Sequence, residues 1–226
     1  AVRYKKSMSI GLLDSSARID EIEDVRGVAY NWPNTKYRTY KFNYNNDVVP
    51  HFVSVTNYIN TGENYAVTYS QENNLTPPFA GGVSAGAVKL LETVTLPVGG
   101  WNSTHTFAYG WNGSGRTGEL ASVTYPYGGV TSWAYQDWTH AGNRNVRQVY
   151  WRTVQHLPGG STWGYSLWFA NDSSKYFHGV AQVRDWDGNG HKRWTFDNTT
   201  TPGGTNGLLT KYEDLAPSAG GAVKTE

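Results

Sequence analysis

The 226-residue sequence has no cysteine and a single methionine. Without thiols there is no disulfide framework, no thiolate metal site and no cysteine nucleophile. Charge is scarce too: 16% of residues are Asp, Glu, Lys or Arg, and 19 cations against 18 anions leave a net charge of +1. A balance of that kind draws a chain neither to nucleic acid nor to an anionic membrane, so nucleic acid is not an expected partner. No run approaches the roughly 18 apolar residues of a spanning helix, and Ala1 opens a polar segment instead of a signal peptide. The expectation is a soluble chain with no membrane span, already processed.

The residues of helical bundles are also thin. Thr (23), Asn (18), Gly (26) and Tyr (16) dominate, which are residues of strands and tight turns. Aromatic residues make up 15% of the chain, so rings stand where Leu and Ile would otherwise supply apolar mass. The length permits one large β domain or two small ones.

A unit of about thirty residues recurs. Val94 to Gly100 leads to Phe107-Ala108-Tyr109, and Val123 to Gly129 leads to Trp133-Ala134-Tyr135. A third copy runs from Val154 through Pro158-Gly159-Gly160 to Trp163-Gly164-Tyr165, and a fourth from Val183 through Asp187-Gly188-Asn189-Gly190 to Trp194-Thr195-Phe196. Val55 with Tyr65 to Tyr69 fits as an earlier copy, Val25 with Tyr37 to Tyr44 more loosely, and Leu208 to Tyr212 begins a truncated last one. Each unit reads as strand, turn and aromatic-bearing strand, a β-hairpin. Isolated hairpins are marginal in water, so the units are expected to pair side by side.

The expected fold is therefore all-β: tandem hairpin repeats of about thirty residues in a continuous, curved or spiralling antiparallel sheet, shell- or tube-like. An N-terminal arm is expected over 1–24, repeats over 25–212 with an insertion near 76–89, and a flexible tail over 213–226. Turns are expected at Pro97 to Gly100, Pro126 to Gly129, Pro158 to Gly160 and Asp187 to Gly190. Short helical exceptions are expected at Ser15 to Asp24 and Ser84 to Leu91. Val94, Val123, Val154 and Val183 are expected at equivalent inward positions.

The stretch from Gly118 through Tyr125-Pro126-Tyr127-Gly128-Gly129 to Trp133-Ala134-Tyr135 and Gly142-Asn143-Arg144 resembles the rearrangement-hotspot (RHS) or YD-repeat family. The likeness covers about Val25 to Tyr212. The Tyr-Asp pair of the family is altered here to Tyr109-Gly110, Tyr135-Gln136, Tyr44-Asn45 and Phe196-Asp197, which marks the repeats as divergent. The resemblance implies a ribbon of short strands that spirals into a shell or tube. A closed shell takes more repeats than these, so it implies a piece of a longer chain or several copies together.

Other chemistry is sparse. Asp185-Trp186-Asp187-Gly188-Asn189-Gly190 has the opening of a calcium loop, with Asp185, Asp187 and Asn189 as ligands, but position 12 is Phe196 instead of Glu and a hairpin turn is the simpler reading. Asp20, Glu21, Glu23 and Asp24 read as a solvated acidic face, and Glu63, Glu119 and Asp137 are scattered. The six histidines share no metal-like or triad spacing. Tryptophans admit two readings: rings stacked across strands on an inner face, or an exposed row of Trp101, Trp111, Trp133, Trp138 and Trp163 that stacks on sugar rings.

Three functions follow. The favoured one is a non-enzymatic structural protein, extracellular or at a cell surface, that builds a shell or a self-assembling filament by head-to-tail association or with the rest of a longer RHS-like chain. The second is a carbohydrate-binding or adhesive module using the Trp and Tyr face. The third, a polysaccharide-active enzyme, is weakened by the few carboxylates. No cofactor is expected beyond the calcium alternative.

Overall fold

The computed structural model describes residues 3–7, 18–30, 36–59, 61–63, 65–78, 83–98, 101–112, 115–170, 173–186, 190–198, 207–215 and 222–225, with backbone alone at 3–7, 25–30, 36–37, 98, 101–102, 112, 190 and 222–225. Among them there is no α-helix. The first strands are β1 (Arg3–Ser7), β2 (Arg18–Tyr30), β3 (Lys36–Tyr44), β4 (Phe52–Asn57) and β5 (Tyr65–Glu72). Next come β6 (Val88–Val98), β7 (Trp101–Asn112), β8 (Gly115–Thr124), β9 (Val130–His140) and β10 (Arg144–Gln155). The last are β11 (Thr162–Phe169), β12 (Val180–Arg184), β13 (Gly190–Phe196), β14 (Leu209–Leu215) and β15 (Ala222–Thr225). Strand order follows the chain from β1 to β15, and every described pairing is antiparallel. No described pairing joins the two ends into a barrel.

The repeat maps onto this order. Val25, Val55, Val94, Val123, Val154 and Val183 lie on β2, β4, β6, β8, β10 and β12, the first strand of successive hairpins, and Leu209 opens the seventh on β14. Val123 is buried, and Val94, Val154 and Val183 are half-buried, so none of the four faces open solvent. Directly opposed residues share a sheet face. Val123 opposes Thr131, Thr131 opposes Val154, Val154 opposes Trp163, and Leu167 on the same face as Trp163 opposes Val183.

Two turns fall where expected. Gly128 donates its N–H to the Tyr125 carbonyl at 2.8 Å between β8 and β9, and Gly160 donates to Leu157 at 3.0 Å between β10 and β11. Pro97, expected in a turn, instead sits inside β6 opposite Asn102, and the closure of Val98 on Trp101 leaves only two residues for the link. The turn residues 187–189 lie outside the described residues. Between β9 and β10 the backbone turns through positive φ at both Gly142 (74°) and Asn143 (57°), a pair of residues that tolerate it.

The helical expectations are corrected. Arg18 to Asp24 lies in β2, and Val88 to Leu91 lies in β6. β2 also runs through the expected boundary of the arm at 24, and β14 through that of the tail at 212. The acidic face is corrected as well: Glu21, Glu23 and Asp24 are 4%, 7% and 7% exposed. Strand alternation brings cations of β3 opposite them, with Arg38 ion-paired to Glu21 and Lys41 Nζ 3.3 Å from Asp20. Unpaired, such carboxylates would strongly disfavour burial.

The chain forms two compact units, Ala1–Asn73 with Ala87–Phe107, and Asn74–Gly86 with Ala108–Glu226. The insertion near 76–89 therefore belongs mostly to the second unit. Thr76 donates its N–H to the Arg116 carbonyl at 2.8 Å, Leu75 donates to Gly86 at 3.0 Å, and a side chain at Gly115 would overlap the Asn74 carbonyl oxygen. Among the described residues the buried aliphatic side chains are Val123 and Leu215, joined by the loop prolines Pro50 and Pro77, and no side chain is below 2% exposure.

Candidate functional site: aromatic faces and an imidazole cluster

In the first unit, alternation separates the two sides of the sheet. Phe42 opposes Val55, Val55 opposes Tyr65, and Val67, two residues on, opposes Val94. With Tyr40, Phe52 and Leu96 these side chains line a trough of about 360 Å³. Its polar contacts stand at the edges: the Tyr40 hydroxyl donates to Glu63 Oε2 at 2.8 Å and the Tyr69 hydroxyl to the Phe52 carbonyl at 2.9 Å. Burial raises the Tyr69 phenol above its ordinary pKa. The opposite side carries hydroxyls and amides. Thr68 and Thr93 share a hydrogen bond at 2.7 Å, Thr95 and Thr104 one at 3.0 Å, and Asn43 Nδ2 donates to Thr56 Oγ1 at 2.8 Å.

In the second unit aromatic side chains occupy both sides. Arg152 opposes both Trp133 and Tyr165, and Val154 opposes Trp163, so these three rings share a face across β9, β10 and β11. Trp163 is 61% exposed and Tyr165 41%, whereas Trp133 is half-buried. Trp138 is five residues beyond Trp133 on one strand and faces the other way. Trp151 shares that second face through its pairing with Ala134, and its ring meets Trp186 edge-on at 5.3 Å. Gly164 is buried between those indoles; a Cβ there would lie 2.6 Å from Trp151 and 2.7 Å from Trp186.

The expected tryptophan row is thus divided. Trp133 and Trp163 come together, and Trp138 does not join them. Trp111 is exposed on β7, with the Arg116 guanidinium 4.6 Å over its ring. The side chain of Trp101 lies outside the described residues. Of the calcium-loop residues, Asp185 Oδ2 is 3.2 Å from His191 Nε2, and Asp187 and Asn189 lie outside the described residues. Among the described residues no group of three or more His, Asp or Glu is placed to hold a metal.

The scattered carboxylates have partners. Arg147 grips Glu119 with two nitrogens, at 2.6 and 3.0 Å, and reaches Asp137 at 3.5 Å. That bidentate contact, with Asp137 in support, holds the Arg147 guanidinium above its ordinary pKa. The Tyr135 hydroxyl beside it donates to the Leu120 carbonyl at 2.9 Å, and burial followed by the Glu119 charge raises its pKa.

One cluster has no sequence signature. His140, 3% exposed at the end of β9, meets His178 edge-on with ring centroids 4.7 Å apart. His178 stacks on Phe169 at 4.5 Å, and Trp138 stands edge-on to both Phe169 and His178 at 5.5 and 5.4 Å. His178 Nε2 is 2.8 Å from Gln148 Oε1. Burial, and then the Arg144 charge, lowers the pKa of His140; burial, and then His140, lowers that of His178. No family model, curated protein or solved structure matches the chain.

Proposed function

We propose that this chain is a non-enzymatic structural protein of RHS/YD-like hairpin repeats, extracellular or surface-borne, that supplies wall material for a shell or filament. The observation that carries the reading is the combination of strands in strict chain order with only Val123 and Leu215 buried among the aliphatic and aromatic side chains of the described residues. An antiparallel sheet is stable with one face wet when the other is covered. The trough of Tyr40, Phe42, Val55, Tyr65, Val67 and Val94 is the kind of face that needs a cover. Further copies, or the remainder of a longer chain, supply it. Among the described strands β1 and β15 each pair on one side only, and edges of that kind recruit strands. A head-to-tail contact repeats without closing unless its rotation makes a ring.

Electron microscopy of the purified chain tests this. Filaments, rings or shells are expected. A uniform field of single small particles at every concentration sinks the structural reading.

A second reading rests on Trp163 and Tyr165, which stand exposed on one face beside Trp133. Flat rings of this kind stack on sugars, and the chain would then be a carbohydrate-binding or adhesive module. Retention on polysaccharide columns that is lost in Trp163→Ala supports it, and equal retention of the variant removes it.

A further inference from the structure

We propose that His140 and His178 form an acid-released latch that fastens the 173–179 segment to the turn between β9 and β10. The segment links β11 to β12 and is held at three points. Ala141 donates its N–H to the Lys175 carbonyl at 2.7 Å, the Arg144 guanidinium donates to the Tyr176 carbonyl, and the same guanidinium lies 5.3 Å over the Phe177 ring. The fourth fastening is the imidazole contact itself, embedded among Trp138, Phe169 and Gln148.

This packing suits two neutral rings. An imidazolium at either position brings a positive charge against the other imidazole. The charges that act on the pair are cationic, Arg144 of β10 on His140 and His140 on His178, and Lys175 is the charged side chain of the segment. A buried cation without an anion is strongly disfavoured, so protonation favours release to water. Carbonyls at Lys175 and Ala170 oppose the depression without reversing it.

The sign follows from linkage. Both rings have pKa values below the ordinary 6.5 when the segment is fastened, and regain about 6.5 when it is open. The open state binds more protons between those values. The latch is therefore fully effective above about pH 6.5 and weakens as pH falls below it, each unit of depression being worth about tenfold in the open-to-closed ratio.

The test uses the full chain and NMR. Amide exchange at Ala141, corrected for the intrinsic effect of pH, reports opening, because that N–H bonds Lys175 in the segment. Protection is expected to fall about tenfold or more between pH 7.5 and 5.0 in the wild type, and to stay level in His140→Phe/His178→Phe, which keeps the ring packing and removes the protons. Level protection in the wild type, or an equal fall in the variant, overturns the proposal. If the variant does not fold, the imidazole carbon shifts of the wild type decide: titration of both rings below 6.5 upholds the latch, and titration of either at or above 6.5 refutes it.

Discussion

The two compact units use the same hairpin repeat to opposite ends. In the first, one side of the sheet gathers Tyr40, Phe42, Val55, Tyr65, Val67 and Val94, while the other is a lattice of Thr, Ser and Asn hydroxyls and amides. In the second, rings stand on both sides: Trp133, Trp163 and Tyr165 on one, Trp138 and Trp151 on the other. The difference lies in strand composition. Around the trough Tyr40, Phe42, Val55, Tyr65 and Val67 alternate with Lys41, Asn43, Ser54, Thr56, Ala66 and Thr68, whereas β9, with Trp133 and Trp138 five positions apart, places indoles on both faces. A sheet of the first kind asks for a cover on one side. One of the second kind is braced locally, through Gly164 between two indoles and through the Glu119–Arg147–Asp137 group.

The largest expected effect breaks the charge base of the first unit. Arg38→Ala leaves Glu21, 4% exposed, with Lys41 Nζ at 3.8 Å, and is expected to cost about 3 kcal/mol in urea unfolding monitored by fluorescence. A loss under about 1 kcal/mol would mean that Glu21 reaches water. The equivalent Arg147→Ala in the second unit, where the pair is 25% and 16% exposed, is expected to cost less, about 1–2 kcal/mol.

A loss of the same order as that of Arg147→Ala is expected from Gly115→Ala. The added methyl meets the backbone of Asn74, which cannot swing aside, so the 74–86 segment must lift from β8 at about 1–3 kcal/mol. Proteolysis within 74–86 should quicken in this variant, and unchanged cleavage would show that the segment is not held by that contact.

The smallest effect sharpens the distinction between faces. Thr104→Ala removes one hydroxyl from the wet side and should cost about 0.2–1 kcal/mol, whereas Val94→Ala on the trough side should cost more. Equal losses would erase the two-faced description of the first unit.

The fold was largely legible in the sequence because the repeat carries its own register. Each Val anchor falls on the first strand of a hairpin, and the Gly and Asn residues mark links such as Gly142-Asn143. Pro97 reads as a turn residue from its neighbouring glycines, whereas its pairing with Asn102 carries β6 through it. The acidic cluster at 20–24 was misread because charge run and strand alternation look alike until the facing strand supplies Arg38 and Lys41. Strand parity sets Trp138 apart from Trp133 and Trp163, and counting rings does not tell which side of a strand they leave. The His140–His178 contact was invisible because the loop after β11 brings together residues that no local pattern links.

We propose that further copies, or more of its own chain, complete this sheet. Light scattering across a hundredfold dilution tests it most directly. Masses well above the 25.1 kDa of one chain, falling with dilution and rising with concentration, are expected. A mass of 25.1 kDa at every concentration, from a chain that unfolds cooperatively, would contradict it.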